Sequence, residues 1–247
     1  MENVFRLNVC SRTHTGKVRR NNEDALFIDK ANQIVAIADG MGGEAYGEVA
    51  SQLAVDACVE YLQSVDVTRI SEKPGREIGN SVRFANEAII AIQRNEEKYR
   101  TMGTTLTCMM LLGDQLHHSW VGDSRLYRIS RKDNVIQMLT RDHTLDRSKI
   151  DPKLAPDLYR RAPSILTQKV GSILLIQPDS GSSRLVSGDL LLMCTDGLTD
   201  RVPDPLLLEY ACVESTLDAC ADRLLERALD CGGQDNISFV LVEVVSN

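Results

Sequence analysis

Residues 33–40 read QIVAIADG: an unbroken apolar run that ends at once in an aspartate and a glycine. Residues 190–197, LLLMCTDG, repeat the same arrangement far along the chain. Short runs rich in Val, Ile and Leu predict buried β-strands, so both segments place a carboxylate at the end of a buried strand. Further strands of this kind are predicted at 106–112, 119–121, 126–129 and 237–245.

Three longer segments carry apolar residues at helical spacing, at 50–62, 78–92 and 217–228. Strands and helices do not alternate regularly, which argues against a doubly wound parallel sheet. We therefore predict an α+β fold with two packed, mainly antiparallel β-sheets and helices on both outer faces. The prediction is one domain over residues 1–247, with a surface flap at 141–167, where three of the seven prolines fall.

The amino-acid composition limits the classes of binding partner that are expected for this chain. Acids outnumber bases by 35 to 28, a net charge of -7, and the basic clusters are short, so nucleic acid is not an expected partner. No apolar run approaches the roughly 20 residues of a membrane span, and the first ten residues do not resemble a signal peptide. Seven cysteines without a C-x-x-C pair predict reduced thiols in a cytoplasmic protein. For the oligomeric state, a monomer is the default expectation.

Motifs for nucleophilic side-chain catalysis are missing from the sequence. No cysteine is followed by the arginine of a C-x5-R loop, and no G-x-S-x-G elbow, phosphate-binding P-loop or H-E-x-x-H zinc helix occurs. Chemistry by a side-chain nucleophile is therefore not expected.

Acidic residues recur near the ends of the predicted strands, where loops can present oxygens to a shared site. Hard cations such as Mg²⁺ and Mn²⁺ prefer such oxygen ligands. Asp-Gly is also among the commonest turn dipeptides, so each pair taken alone favours a plain turn. The candidate ligands are Glu23, Asp24, Asp39, Asp123, Asp196 and Asp235.

Six segments occur in a fixed order over nearly the whole chain. They are 15–25 (TGKVRRNNEDA), 38–43 (ADGMGG), 102–105 (MGTT), 121–125 (VGDSR), 194–198 (CTDGL) and 234–238 (QDNIS). Together they resemble the motifs of the type 2C (PPM) metal-dependent protein Ser/Thr phosphatases, in their bacterial form. One such motif would be weak support, but all six in family order identify the chain as a member of that family.

The resemblance implies a pair of divalent cations, Mn²⁺ or Mg²⁺. Asp39 matches the aspartate that bridges both ions in the family. Asp196 and Asp235 match ligands of the first ion. The carbonyl of Gly40 matches a ligand of the second ion, and Glu23 matches an acid that often reaches it through water.

Further roles follow from the same resemblance. Asp24 matches an acid that hydrogen-bonds metal waters, and Asp123 matches a ligand of a third, weaker ion in bacterial members. Arg19 matches the arginine that holds the substrate phosphate, and its planar fork of donors suits phosphate oxygens. Thr104 and Thr105 are expected to be strand residues whose hydroxyls bond the backbone, outside the site itself.

Three features depart from the family pattern. His14 stands where many relatives have an aspartate, which predicts weaker metal binding. Met41 stands where eukaryotic members carry a histidine proposed as the general acid, so a metal-bound water is the expected proton donor. Residues 146–164 match the family flap poorly, and substrate choice is least predictable there.

The implied function is hydrolysis of phosphoserine and phosphothreonine in proteins by direct attack of a metal-bridging hydroxide, with catalytic roles for Asp39 and Arg19. The implied partners are phosphorylated proteins and a Ser/Thr protein kinase that the enzyme opposes. Two alternatives stay open. One is a catalytically weak or dead member that binds phosphoproteins as a regulatory module, and the other is a metal-dependent hydrolase of small phosphoesters.

Overall fold

Antiparallel strands form two sheets in the computed structural model, which describes residues 5–41, 46–172 and 175–246. Sheet I contains, in spatial order, β1 (Phe5–His14), β11 (Ile237–Ser246), β10 (Asp189–Cys194), β7 (Arg125–Ser130) and β8 (Val135–Met138). Sheet II contains β2 (Asp24–Asp29), β3 (Ile34–Met41), β5 (Leu106–Leu112), β6 (Gln115–Val121) and β9 (Asp179–Arg184), and the short β4 (Gly103–Thr104) pairs with β3. The prediction of mainly antiparallel sheets is confirmed.

The two sheets pack face to face through alternate residues of their strands. In β3, Val35 and Ile37 point into the interface, while Ala36 and Ala38 point to the opposite face, as the two-residue period of a strand requires. The partners from sheet I include Leu191 of the central strand β10. The other main contributors are Met109, Leu111, Leu116, Leu126, Met193, Val240, Val242 and Val244.

Helices cover both outer faces. The outer face of sheet II packs against α1 (Gly47–Ser64) and α3 (Pro74–Asn95). The outer face of sheet I packs against α5 (Asp196–Thr199), α6 (Asp204–Val213) and α7 (Leu217–Asp230). The predicted helix–sheet–sheet–helix layering is therefore confirmed, and the three predicted helices are α1, α3 and α7. Two further short helices are α2 (Val67–Glu72) and α4 (Pro156–Arg161).

None of the helices in the described ranges is both long and apolar enough to cross a membrane.

The predicted flap, residues 141–167, has structure of its own. Its two ends are joined by a short ladder in which the Leu145 N–H donates to the Ile165 carbonyl at 2.9 Å and the Thr167 N–H to the His143 carbonyl at 2.7 Å. Helix α4 lies between these ends. The flap is thus tied at its base, close to where β6 ends.

Candidate metal centre

One cleft of about 370 Å³ collects most of the residues that the sequence singled out. Its walls come from both sheets and from the flap, which contributes Ser164 and Leu166. Asp24 is the one predicted site residue that does not line the cleft. The remaining lining residues are Arg19, Glu23, Asp39, Gly40, Met41, Thr105, Asp123, Asp196, Asp200 and Asp235.

The register of β2 against β3 brings two carboxylates side by side. Asp24 lies directly opposite Asp39, and the neighbouring Gly40 N–H donates to the Glu23 carbonyl at 3.0 Å. Because hydrogen-bonded and non-bonded pairs alternate along an antiparallel ladder, Asp24 and Asp39 form a non-bonded pair, whose Cα atoms are only about 4.5 Å apart. Asp24 therefore lies close to Asp39 without lining the cleft itself.

The backbone of Asp39 is fixed by Thr104, the last residue of β4, and by Thr105, which follows it. The Asp39 N–H donates to the Thr105 hydroxyl at 2.9 Å, and the Asp39 carbonyl accepts from the Thr105 N–H at 2.9 Å and the Thr104 hydroxyl at 2.8 Å. The expectation that these hydroxyls bond the backbone is confirmed, but Thr105 lies between β4 and β5 and lines the cleft, so it is not outside the site as expected. What the sequence did not indicate is that the backbone in question is that of Asp39, so the threonines set the direction of its carboxylate.

The hydroxyl of Thr195 links the two sheets next to the cleft. Thr195, at the end of β10, donates to the Asp24 carboxylate at 3.0 Å and accepts from the Ser238 N–H at 3.1 Å. The next residue is Asp196, the first residue of α5. The bond thus places the carboxylate that follows β10 beside the pair on β2 and β3.

Neither predicted Asp-Gly turn is a turn. Gly40 lies within β3, which continues to Met41 instead of ending at Ala38, and Gly197 lies within α5. Both glycines are required by close packing: a Cβ on Gly40 would lie 2.2 Å from the Gly47 carbonyl oxygen, and one on Gly197 would lie 1.9 Å from that of Asn236. The plain-turn alternative is therefore wrong for both pairs.

Asn236 joins the two loops that carry Arg19, Glu23 and Asp235. Its side-chain oxygen accepts from the Glu23 N–H at 2.8 Å, and its amide nitrogen donates to the carbonyls of Thr15 at 2.9 Å and Asn21 at 2.8 Å. The side chain is buried, so each of these polar groups depends on it. Sequence reasoning quoted Asn236 within a motif but gave it no role.

Burial and mutual repulsion raise the pKa values of the carboxylates in the cleft. Burial, then the charges of Asp24, Asp196, Asp235 and Asp123, raises the pKa of Asp39 well above its usual range. Burial, followed by the nearby charge of Asp123, raises the pKa of Asp196 to about 8.

Similar effects act on the other acids. The pKa of Asp24 rises to about 7, mainly through burial, and that of Asp123 to about 6 through burial and the charge of Asp142. Burial and the charge of Glu48 raise the pKa of Glu23. Such a cluster favours either protons or a divalent cation.

Arg19 reaches into the cleft but is engaged there by an acid. Its guanidinium donates to the Asp235 carboxylate at 2.8 Å. His14 lies off the cleft wall, where its Nδ1 accepts from the Gly16 N–H at 2.8 Å and steadies the start of the Arg19 loop. Met41 lines the cleft and offers no proton donor.

Asp200 is an acid of the cleft that the sequence analysis missed. Its N–H donates to the Asp196 carbonyl at 2.8 Å, because the two residues are one helical turn apart. That spacing, four residues after a predicted ligand, was the available signal. Asp200 brings a further carboxylate to the side of the cleft where Asp123 and Asp196 lie.

The donor set fits hard divalent cations. It consists of carboxylate and carbonyl oxygens, and one buried oxygen of Asp24 has no hydrogen-bond partner. Within residues 5–41, 46–172 and 175–246, however, no three acidic, histidine or cysteine side chains already meet closely enough to hold an ion. Because like charges repel, the acidic side chains lie apart on the cleft walls. A bound cation would attract them and bring their oxygens closer together.

The fold is a four-layer sandwich of helices and two antiparallel sheets. Both sheets contribute acidic side chains to one cleft, and such a cleft is typical of a protein that binds divalent cations. The sequence model of the family described as Protein phosphatase 2C matches residues 12–231. The chain belongs to this family, which confirms the resemblance found in its six motifs.

Named proteins similar in sequence to this chain are serine/threonine phosphatases. The serine/threonine protein phosphatase PstP of Mycobacterium tuberculosis is 34% identical over 245 residues, which cover 97% of this chain and 45% of that protein. The chain thus spans less than half the length of PstP. The serine/threonine phosphatase stp of Listeria monocytogenes is 32% identical over 240 residues, which cover 94% of both chains.

Solved structures share the fold. The catalytic domain of PstP in complex with two manganese ions superposes with a TM-score of 0.82 at 32% identity, over 98% of this chain and 100% of that one. The phosphatase Stp1 of Staphylococcus aureus gives a TM-score of 0.84 at 30% identity, over 98% and 97% of the two chains.

Replacing Gly197 tests the close packing behind the cleft. Gly197→Ala is expected to destabilise the fold by about 1–3 kcal/mol, because the new Cβ would meet backbone that cannot move freely. The control is Gly75→Ala, in the first turn of α3, where nothing lies within 4 Å of the added Cβ. Urea unfolding measures both, and equal effects of the two substitutions would contradict the packing argument.

The acidic cluster predicts an unusual pH dependence in chelator. Since the pKa values of Asp123, Asp24 and Asp196 are raised to about 6, 7 and 8, the folded chain binds more protons there than the unfolded chain. This stabilisation is fully present below the ordinary carboxyl pKa of about 4 and is lost progressively as pH rises from about 4 through about 6, 7 and 8. The midpoint of thermal unfolding should therefore fall over that range.

Two comparisons make this prediction specific. Asp196→Asn should flatten the fall, because one titrating group is removed, and excess Mn²⁺ should oppose it, because the ionised carboxylates bind the cation. An unfolding midpoint that stays level or rises with pH in chelator would contradict the proposed clustering.

Proposed function

We propose that this chain is a Mn²⁺- or Mg²⁺-dependent protein serine/threonine phosphatase formed by one catalytic domain. The observation that carries the proposal is the convergence of Glu23, Asp39, Asp196 and Asp235 on the same cleft as Arg19. The named relatives, which are serine/threonine phosphatases, and the two manganese ions of the PstP structure support it.

In this proposal, Asp39 would be a ligand shared by both ions. Asp196 and Asp235 would hold one ion, and the Gly40 carbonyl together with Glu23 would hold the other. When bound, the two cations would neutralise the charge of a phosphate monoester and make water acidic enough to attack phosphorus. The buried Asp24 oxygen without a partner suits a hydrogen bond to water in this centre.

Arg19 would bind and orient the substrate phosphate. Its present partner, the Asp235 carboxylate, is also a proposed metal ligand. A cation on Asp235 would neutralise that carboxylate and weaken its hold on Arg19, which leaves the guanidinium fork for phosphate oxygens. Metal and substrate binding would therefore be coupled through this one ion pair.

A third, weaker ion would bind at the other side of the cleft. Asp123 and Asp200 both line that side, and the charge of Asp200 contributes to the raised pKa of Asp123. Within the described residues neither acid forms an ion pair, so the two together are a reasonable weak site for a hard cation.

The natural substrates would be phosphorylated proteins of the cytoplasm, among them a Ser/Thr protein kinase whose action the enzyme reverses. All seven thiols are free, five of them buried, which suits a reducing compartment. The alternative of a phosphoprotein-binding module without turnover would require a defect in the cleft, yet every predicted acid is present and all but Asp24 line the cleft.

Asp39→Asn tests the proposed ligand set. Removing one charge from the bridging position should lower Mn²⁺-dependent release of phosphate from a phosphothreonine peptide by at least about 100-fold. The protein should stay folded by circular dichroism, because the backbone bonds of Asp39 to Thr104 and Thr105 remain. The matched control is Asp56→Asn, on the exposed side of α1, which should keep full activity.

The wild-type result separates the alternatives. Release of phosphate that requires Mn²⁺ or Mg²⁺ supports the enzyme. Tight binding of the phosphopeptide, with no phosphate released in the presence of Mn²⁺ or Mg²⁺, would favour the regulatory module and contradict the proposal. Near-normal turnover by Asp39→Asn would show that the ligand assignment is wrong.

Asp123→Ala tests the third ion. Turnover should fall about tenfold, the size expected when a supporting group of a metal site is lost, while the Mn²⁺ concentration needed for the tighter sites stays unchanged. The measurement is phosphate release across a Mn²⁺ titration. Activity equal to wild type at every concentration would show that a third ion plays no part.

A further inference from the structure

A second and larger cleft, of about 790 Å³, lies at the end of α3. Its lining includes three basic side chains, Arg94, Arg100 and Lys169, and one acidic side chain, Glu97. The cleft is therefore positively charged, in a protein whose net charge is -7. Nothing in the proposed reaction uses it.

The three cations have no acidic partner among the residues that the structure describes. In the part of the chain that the structure describes, none of Arg94, Arg100 and Lys169 forms an ion pair with an acid. Lys98, on the same turn, does form one, with Glu96 at 3.2 Å. Unpaired cations on one concave wall favour an anionic ligand.

The wall that carries these cations is rigid. The buried Gln93 amide donates to the carbonyls of Met102 at 2.8 Å and Gly171 at 2.9 Å. The Gly171 N–H in turn donates to the side-chain oxygen of Asn86 at 2.7 Å. These bonds tie the segment after Lys169 to α3, so the backbone that carries the basic side chains is fixed before any ligand arrives.

The basic cleft is adjacent to the metal centre. A Cβ on Gly103 would lie 3.1 Å from the Lys169 ammonium nitrogen, so this ammonium sits over Gly103. Gly103 pairs with Met41, which lines the carboxylate cleft. Neighbouring strands lie about 4.8 Å apart, so roughly one strand spacing separates Met41 from the ammonium-covered Gly103.

A second contact joins the two regions. Tyr99, on the turn that carries Glu97 and Arg100, packs edge-on against Tyr46 at 4.7 Å between ring centres. Tyr46 immediately precedes α1. The turn that forms one side of the basic cleft is thus anchored to the start of α1, a helix that packs on β3.

We propose that the basic cleft binds a second phosphate group on the same substrate, so that the preferred substrates are protein segments phosphorylated at two nearby residues. This inference rests on the proposed phosphatase function. A phosphorylated side chain carries about two negative charges and three acceptor oxygens, which suit two guanidinium groups and an ammonium. A carboxylate carries one charge and would be held less tightly.

The geometry also limits the spacing of the two phosphates. An extended peptide rises about 3.3 Å per residue, so a group one or two strand spacings from the metal centre belongs to a residue about two or three positions from the reacting one. Each phosphate would occupy one cleft, with the peptide crossing the Met41–Gly103 pair between them.

The test compares peptides with one phosphothreonine and peptides with a second phosphate two or three residues away, on either side. Wild-type protein with Mn²⁺ should show a KM about tenfold lower for at least one doubly phosphorylated peptide, the effect of a charge-assisted contact, with kcat unchanged. The double variant Arg100→Gln/Lys169→Gln should lose this preference and treat the singly phosphorylated peptide as wild type does.

Lys98→Gln is the matched control, because it removes a charge from the same turn without changing the lining of the cleft. It should keep the preference for two phosphates. A peptide with glutamate in place of the second phosphothreonine should show an intermediate KM. Equal KM values for singly and doubly phosphorylated peptides, or a preference that survives in the double variant, would overturn the inference.

A binding measurement keeps the inference testable if no turnover occurs. Fluorescence anisotropy of the labelled peptides, without added metal, should show tighter binding of the doubly phosphorylated peptide to wild-type protein than to the double variant. Inorganic phosphate should compete only weakly, because a free anion lacks the peptide that crosses to the metal centre. Failure of the proposed function would appear as absent phosphate release, whereas failure of this inference would appear as equal binding by wild type and variant.

Discussion

Like charges crowd one end of the sandwich, and the rest of the site depends on how the backbone keeps them there. Asp24 and Asp39 face each other across a non-bonded position of the β2–β3 ladder. Asp196 joins them because Thr195 bonds Asp24 from the opposite sheet. Burial and repulsion raise the pKa of each of these acids. A folded chain can accept such a cluster only because strong packing elsewhere offsets its cost, and a cation would relieve it.

Both sheets must therefore be in place before the centre exists. Close approaches of backbone at Gly40 and Gly197 and the buried amide of Asn236 bring segments far apart in sequence to one point. The interface between the sheets is apolar and closely packed, which gives the acids a rigid frame. Since the frame is fixed, metal binding would rely on side-chain rotation alone, and the Arg19–Asp235 pair is the contact most open to change.

Sequence patterns predicted the layers because strands such as β3 are continuously apolar and the long helices have one apolar stripe. Strand β9 was missed because its residues, DSGSSR, are polar at the edge of a sheet. The end of β3 was misplaced because Asp39 and Gly40 look like a turn, whereas pairing with Thr104 extends the strand. Arg94 and Lys169 are distant in sequence, so no local pattern could show that they share a cleft.

The central claim is that this cleft binds a pair of divalent cations bridged by Asp39. The most direct measurement is a crystal structure of the protein grown with Mn²⁺, with anomalous scattering used to locate the metal. The account predicts two anomalous peaks on either side of the Asp39 carboxylate, with Asp196 and Asp235 at one and the Gly40 carbonyl at the other. Full-occupancy manganese elsewhere, or a cleft without manganese, would contradict it.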